Sequence, residues 1–310
     1  MKTPSFDNSK PWADQPLPLV ETPFHATKRT DVYTRGASQM ALLHNAILRG
    51  FNTIYLQAPL VQPKDYRDFV GYSLTWCKFV KKHHDDEEAL LFPSLESTLG
   101  LIGALDHSRE EHYTFMRGLT KFNTYLVSLS NSNRTSEFSG KRLVSIMNSF
   151  MSAFCHHFHH EIDHITGLYE IAEEIGAERI SEAEGSFSVW AKKSVKGAPM
   201  SDILPFMLFN FDRTAEEGMW KDWPQMWAPM KWITINIAGA WYSGYWKFSS
   251  CTSDGRPRTL YALRDRPQHQ QQHSERTGHE FWNSDSRAAK KKKKQDEQPH
   301  EEYTEREEER

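Results

Sequence analysis

FVKKHHDDEEALLFP, residues 79–93, places histidines at 83 and 84 and glutamates four positions on, at 87 and 88. Residues four apart stand side by side on one face of an α-helix, so His-x-x-x-Glu presents an imidazole and a carboxylate together. FCHHFHHEIDHITGL, residues 154–168, repeats the arrangement with His157 and Glu161. Two further helical stretches, ALLHNAILRGF (41–51) and REEHYTFMRGL (109–119), each bring one histidine, His44 and His112, to an apolar face. Four such helices facing inward make a cage of nitrogen and oxygen ligands, a donor set that suits two iron ions. The expected fold is all-α: an up-down-up-down four-helix bundle with a tryptophan-rich C-terminal extension and a disordered charged tail.

Helical phase selects among the ligand candidates. At 100° per residue, Phe69, Tyr72, Trp76, Phe79 and Val80 define a stripe that contains His83 and Glu87. His84 sits at the edge of that stripe and Glu88 lies farther round. On the fourth helix the stripe through Leu143, Met147, Phe150 and Phe154 continues to His157, Glu161 and Ile165. His164 is the nearest competitor there, and Asp163 is out of phase. The expected metal ligands are therefore His44, His83, Glu87, His112, His157 and Glu161. Taken singly, an inward histidine such as His44 or His112 reads more readily as a hydrogen-bonded core residue than as a ligand. Taken together, four imidazoles and two carboxylates cannot be buried without partners, and a shared metal centre supplies them. The mixed set favours iron or manganese, with zinc also able to bind, and the lack of thiolates argues against an iron–sulfur cluster.

Around these motifs the chain divides into four parts. Residues 1–30 hold several prolines and little periodicity, which reads as an extended arm. Residues 31–175 carry the helices: one from Asp31, one from Gln62-Pro63-Lys64-Asp65 to Phe92 with Pro93 as a stop, one over about 104–129, and one over about 141–175. The stretch SNSNRTSEFSG (130–140) is a loop by composition. Residues 176–263 hold seven of the ten tryptophans. There LPFMLFNFDRTAEEGMW (204–220) looks helical, whereas WITINIAGAWYSGYWKFSS (232–250) is ambiguous between strand and irregular structure. These aromatics are expected to pack on the bundle, or to wall a pocket over the metal site. From residue 264 hydrophobic residues are few and the charged tail reads as disordered. Its run Lys290 to Lys294 has the composition of a nuclear-import signal, set beside an acidic run that would neutralise it.

Composition narrows the class. A net charge of −3 over 310 residues gives no global basic field for nucleic acid. Three scattered cysteines are too few for a disulfide framework, which fits a reducing compartment. No apolar run is long enough to span a bilayer and the N-terminus lacks a secretory signal, so a cytoplasmic location is expected. There is no nucleophile elbow, glycine-rich phosphate loop or paired-cysteine zinc pattern.

The motifs resemble those of the hemerythrin family, in its histidine-histidine-glutamate cation-binding branch. HHDDEEALLFP looks like the family's second-helix motif and registers His83 and Glu87 on its ligand positions. HYTFMRGL resembles the third-helix motif led by His112, HFHHEI the fourth-helix pair His157 and Glu161, and LLHNAIL the first helix through His44. KPWADQPLPL (10–19), HNAILRGFN (44–52), GYWKFSSC (244–251) and DGRPRTL (254–260) resemble fungal hemerythrin-like proteins with a C-terminal extension. Oxygen-carrying members place two histidines four apart on the third helix. Here Ser108 stands four before His112, and His107 is out of register by one. The resemblance thus implies a set of four histidines and two carboxylates, which argues against simple reversible oxygen carriage. It implies a non-haem diiron protein that binds dioxygen or activates it toward a small molecule. A metal-responsive interaction protein without turnover, using the tail for protein contacts, is the alternative, and a metal-free scaffold is the third reading.

Overall fold

The computed structural model describes residues 12–264 apart from Gly176. Residues 1–11 and the tail from 265, with its Lys290–Lys294 run, lie outside the described residues. The architecture is helical, with α1 Pro23–Thr27, α2 Val32–Gln57, α3 Tyr66–Asp86, α4 Phe92–Leu99, α5 Asp106–Asn131, α6 Gly140–Asn148, α7 Met151–Ile175, α8 Ala177–Gly197, α9 Ile203–Phe209 and α10 Ala228–Ile233. Two single turns follow, α11 Gly239–Trp241 and α12 Ser243–Trp246. Among the described residues there is no strand, only an isolated bridge between Cys251 and Pro257. No helix among them is long and apolar enough to cross a membrane.

Helices α2, α3, α5 and α7 surround one core, with α2 against α7 and α3, and α5 against α3 and α7. Its centre is aromatic. Trp76 is fully buried among Phe51, Phe122 and Phe154, and its indole N–H donates to the Ile47 carbonyl at 3.0 Å. That bond satisfies the one polar atom the ring brings into the core. Cys77 and Cys155 behave as small apolar residues; burial pushes each thiol up to about 12.

Two helix ends differ from the sequence reading. The second helix does not stop at Pro93. It passes through a π-turn, Glu87–Leu91, in which the Phe92 N–H bonds the Glu87 carbonyl five residues back, and continues as α4 to Leu99. Proline has no N–H to give the carbonyl four back and its ring would clash there. The widened turn shifts the register and seats Pro93 in the first turn of α4 instead. The fourth helix is broken into α6 and α7 between Asn148 and Met151.

Helix α2 is buried nearly all round because other chain segments cover its outer face. Its polar residues there are clamps. Asn45 accepts from the Val20 N–H and donates to the Val20 carbonyl, both at 2.8 Å. Asn52, two turns on, accepts from the Leu17 N–H and donates to the carbonyls of Leu17 and Ala13. Arg49 between them pairs with Asp14 at 3.0 Å and Asp212 at 3.6 Å. Gln57 holds the C-terminal part of the described residues, donating to the Phe248 carbonyl and accepting from the Ala262 N–H.

The segment after residue 176 is helical where the sequence was ambiguous. Residues 228–246 form α10, a second π-turn (Thr234–Ala238), α11 and α12, turned back by a hydrogen bond from the Trp246 indole to the Gly239 carbonyl. Conversely, the helix expected over 204–220 ends at Phe209. Beyond it Glu216 takes a left-handed backbone (φ 48°), held by hydrogen bonds that its carboxylate accepts from the Thr22 N–H, the Thr22 hydroxyl and the Trp220 indole. The tryptophans divide. Trp190 and Trp246 are buried, whereas Trp227, Trp232 and Trp241 are 74%, 60% and 81% exposed, so they do not pack on the bundle.

Replacing Asn52 by alanine would strand two carbonyls and one N–H in a dry interface. The expected cost is about 2 kcal/mol, read as a fall in melting temperature of about 5 °C. An unchanged melting temperature would show that the arm is not held by this amide.

Candidate metal centre

Burial defines the centre first. His44, Glu87, His157 and Glu161 are 0% exposed, His112 is 2% and His83 3%. His44 comes from α2, His83 from the last turn of α3, Glu87 from the start of the π-turn, His112 from α5, and His157 and Glu161 from α7. The structure therefore brings all six expected residues into one core. It adds a seventh. His84, placed by helical phase at the edge of the stripe, is also 3% exposed and points inward. With it, the buried cluster holds five histidines. Helix α3 faces the gap between two partners, and two consecutive residues 100° apart each reach one of them. The His83 ring lies 5.1 Å from that of His44, while the His84 ring lies 4.4 Å from that of His112.

The ligand atoms fall into two compartments. His44, His83, Glu87 and Glu161 each offer an atom within 4.8 Å of the others, and so do His84, His112 and His157. Both carboxylates reach across. Glu87 places Oε1 at 3.0 Å from His83 Nε2 and Oε2 at 3.9 Å from His112 Nε2. Glu161 Oε2 lies 3.3 Å from His44 Nε2 and 3.6 Å from His157 Nε2.

Groups behind the ligands fix their tautomers. His44 Nδ1 donates to the Phe158 carbonyl at 2.9 Å and His84 Nδ1 to the Val80 carbonyl at 2.7 Å. His112 Nδ1 donates to Glu88 at 2.6 Å and His157 Nδ1 to Glu111 at 3.3 Å. Each acceptor is a carbonyl or carboxylate, so Nδ1 carries the proton and Nε2 keeps its lone pair facing inward. Glu88, placed farther round the helix by phase, thus supports His112. His164 stands outside the cage, 3.3 Å from Ser108 Oγ.

Electrostatics reinforces the arrangement. Burial, then the neighbouring imidazoles, pushes His83, His84 and His157 well below the usual histidine range, so they stay neutral. Burial, then Glu161, pushes the Glu87 carboxyl well above the usual range. A cation between these groups reverses both costs. The residues fit such a cation in a further respect. His44 Nε2, both ring nitrogens of His83, His112 Nε2 and all four carboxylate oxygens of Glu87 and Glu161 are buried without a hydrogen bond. His84 Nε2 and His157 Nε2 face each other at 3.1 Å, both as lone pairs. Ligands bound at 2.0–2.1 Å to one tetrahedral metal lie about 3.3 Å apart.

Residue Trp190 of α8 stands over the cage with its ring 6.3 Å from His83. Beside it is a cavity of about 40 Å³ lined by Leu43, Phe79, His83, Ser194, Leu204 and Met207.

Comparison with known proteins agrees with this geometry. Residues 35–169 match the family model described as the hemerythrin HHE cation-binding domain. One relative, "Dimeric xanthone biosynthesis cluster protein R11" of Cryptosporiopsis sp. (strain 8999), is 26% identical over 260 residues, which cover 81% of this chain and 93% of the relative. No solved structure matches the chain. The likeness to the relative runs beyond the bundle into the flanking segments, and residues 35–169 are a hemerythrin HHE cation-binding domain set within this longer chain.

Proposed function

We propose that the chain is a non-haem diiron protein that binds dioxygen and activates it toward a small molecule. The observation that carries the reading is the convergence of unshared lone pairs from five imidazoles and two carboxylates in a buried core. His44 and His83 would hold one iron and His84, His112 and His157 the other, with Glu87 and Glu161 shared between them. Bound iron supplies the one-electron chemistry that protein side chains lack.

The protein's own part is to position and to exclude. Four hydrogen bonds donated by Nδ1 aim the imidazoles before any metal arrives, which lowers the ordering cost of binding. The compartments are unequal, with two nitrogens and two carboxylates on one side and three nitrogens on the other. That asymmetry supports iron ions of different reactivity rather than an equivalent pair. Trp190 and the apolar walls keep bulk solvent off His83, and the cavity beside His83 has room for a molecule of a few atoms. The relative's name places it in a dimeric xanthone biosynthesis cluster, which supports a small aromatic molecule as the reaction partner.

Glu87→Ala combined with Glu161→Ala removes both shared carboxylates. Purified protein carrying the pair is expected to lose its iron, and a variant that kept the full complement would sink the diiron reading. Glu88→Ala leaves every ligand in place but frees His112 to rotate; its iron affinity is expected to fall by about tenfold. On admission of air to the ferrous protein, a new near-ultraviolet band is expected, and a spectrum unchanged by oxygen would remove dioxygen from the account.

A further inference from the structure

Outside the cage, α5 and α7 bring a second set of ligands together. His107 and Glu111 stand one turn apart on α5, and His156 and His160 one turn apart on α7. Glu111 Oε1 lies 3.0 Å from His160 Nδ1, 3.1 Å from His156 Nδ1 and 3.5 Å from His107 Nε2. The ligand atoms of His107, Glu111 and His160 all fall within 4.8 Å of one another. The His107 and His160 rings meet edge to face at 5.1 Å, and the His156 and His160 rings stack at 5.2 Å.

A carboxylate ringed by histidines is ordinarily a hydrogen-bond acceptor. Here Glu111 Oε1 and His160 Nδ1 are buried atoms that make no hydrogen bond. Three imidazole nitrogens therefore crowd one carboxylate oxygen without donating to it, at separations close to the ~3.3 Å edge of a tetrahedral site. Glu111 itself is only 7% exposed, while the histidines open to solvent.

We propose that His107, Glu111 and His160, with His156 at the rim, form a separate surface site for one divalent first-row transition metal ion. Two imidazoles and a carboxylate, with a third imidazole alongside and no thiolate, suit Zn²⁺ and the ions near it in the affinity order. The site is joined to the cage through one side chain, because the other oxygen of Glu111 accepts from His157 Nδ1. Metal bound outside would draw on the carboxylate that orients an inner ligand. The surface site does not depend on iron in the cage.

The test is a count of Zn²⁺ retained per chain after equilibrium dialysis of the full-length protein, alone and as the His107→Ala/His156→Ala/His160→Ala variant. Wild type is expected to retain one equivalent more than the variant, with iron content and melting temperature alike in both. Equal zinc retention would overturn the proposal. Should the triple variant melt early, His107→Ala alone, at an exposed position, is expected to weaken Zn²⁺ binding about tenfold or more. An unchanged affinity in that single variant would equally overturn it.

Discussion

Seven polar side chains sit in a core that is otherwise aromatic and aliphatic, and their lone pairs point at one another. An imidazole that donates through Nδ1 offers a lone pair at Nε2, and the oxygens of both carboxylates make no hydrogen bond. Unpaired polar groups buried this way cost several kcal/mol together. The helices could pack more stably around leucines. What makes the arrangement intelligible is a positive charge at its centre, to which every one of these groups is complementary.

The remainder of the bundle serves that constraint. The π-turn after α3 places Glu87 at its first position and carries the helix past Pro93, so the stretch that begins with ligands also continues as α4. Turns of this kind recur where a helix must present a functional residue out of ordinary register. The outer shell of Glu88, Glu111 and the Val80 and Phe158 carbonyls sets four tautomers. The segments that cover α2 keep the His44 helix from fraying into solvent, with Asn45, Asn52 and Gln57 satisfying the peptide groups of the chain that lies on it.

Much of this was legible in the sequence, for a physical reason. A period of 3.6 residues is imposed on every buried helix, so the apolar stripes betrayed both the helices and the residues at their centres. The six expected ligands lie together in the core on that logic alone. His84 was not legible because phase analysis assumes that a helix has one inward direction. Helix α3 has two, one toward His44 and one toward His112, and only the neighbours reveal it. The π-turn escaped because proline within a helical pattern reads as a stop. The helical form of residues 228–246 escaped because β-branched and aromatic residues carry strand propensity, which tertiary packing overrode. The exposure of Trp227, Trp232 and Trp241 has no counterpart in sequence reasoning, which assigns such residues to the interior.

The most direct measurement of the central claim is an anomalous difference map, recorded at the iron absorption edge on crystals of the iron-loaded protein. Two peaks are expected in the core, one among His44, His83, Glu87 and Glu161 and the other among His84, His112 and His157, with both carboxylates lying between them. A single core peak, or none, would contradict the two-compartment cage.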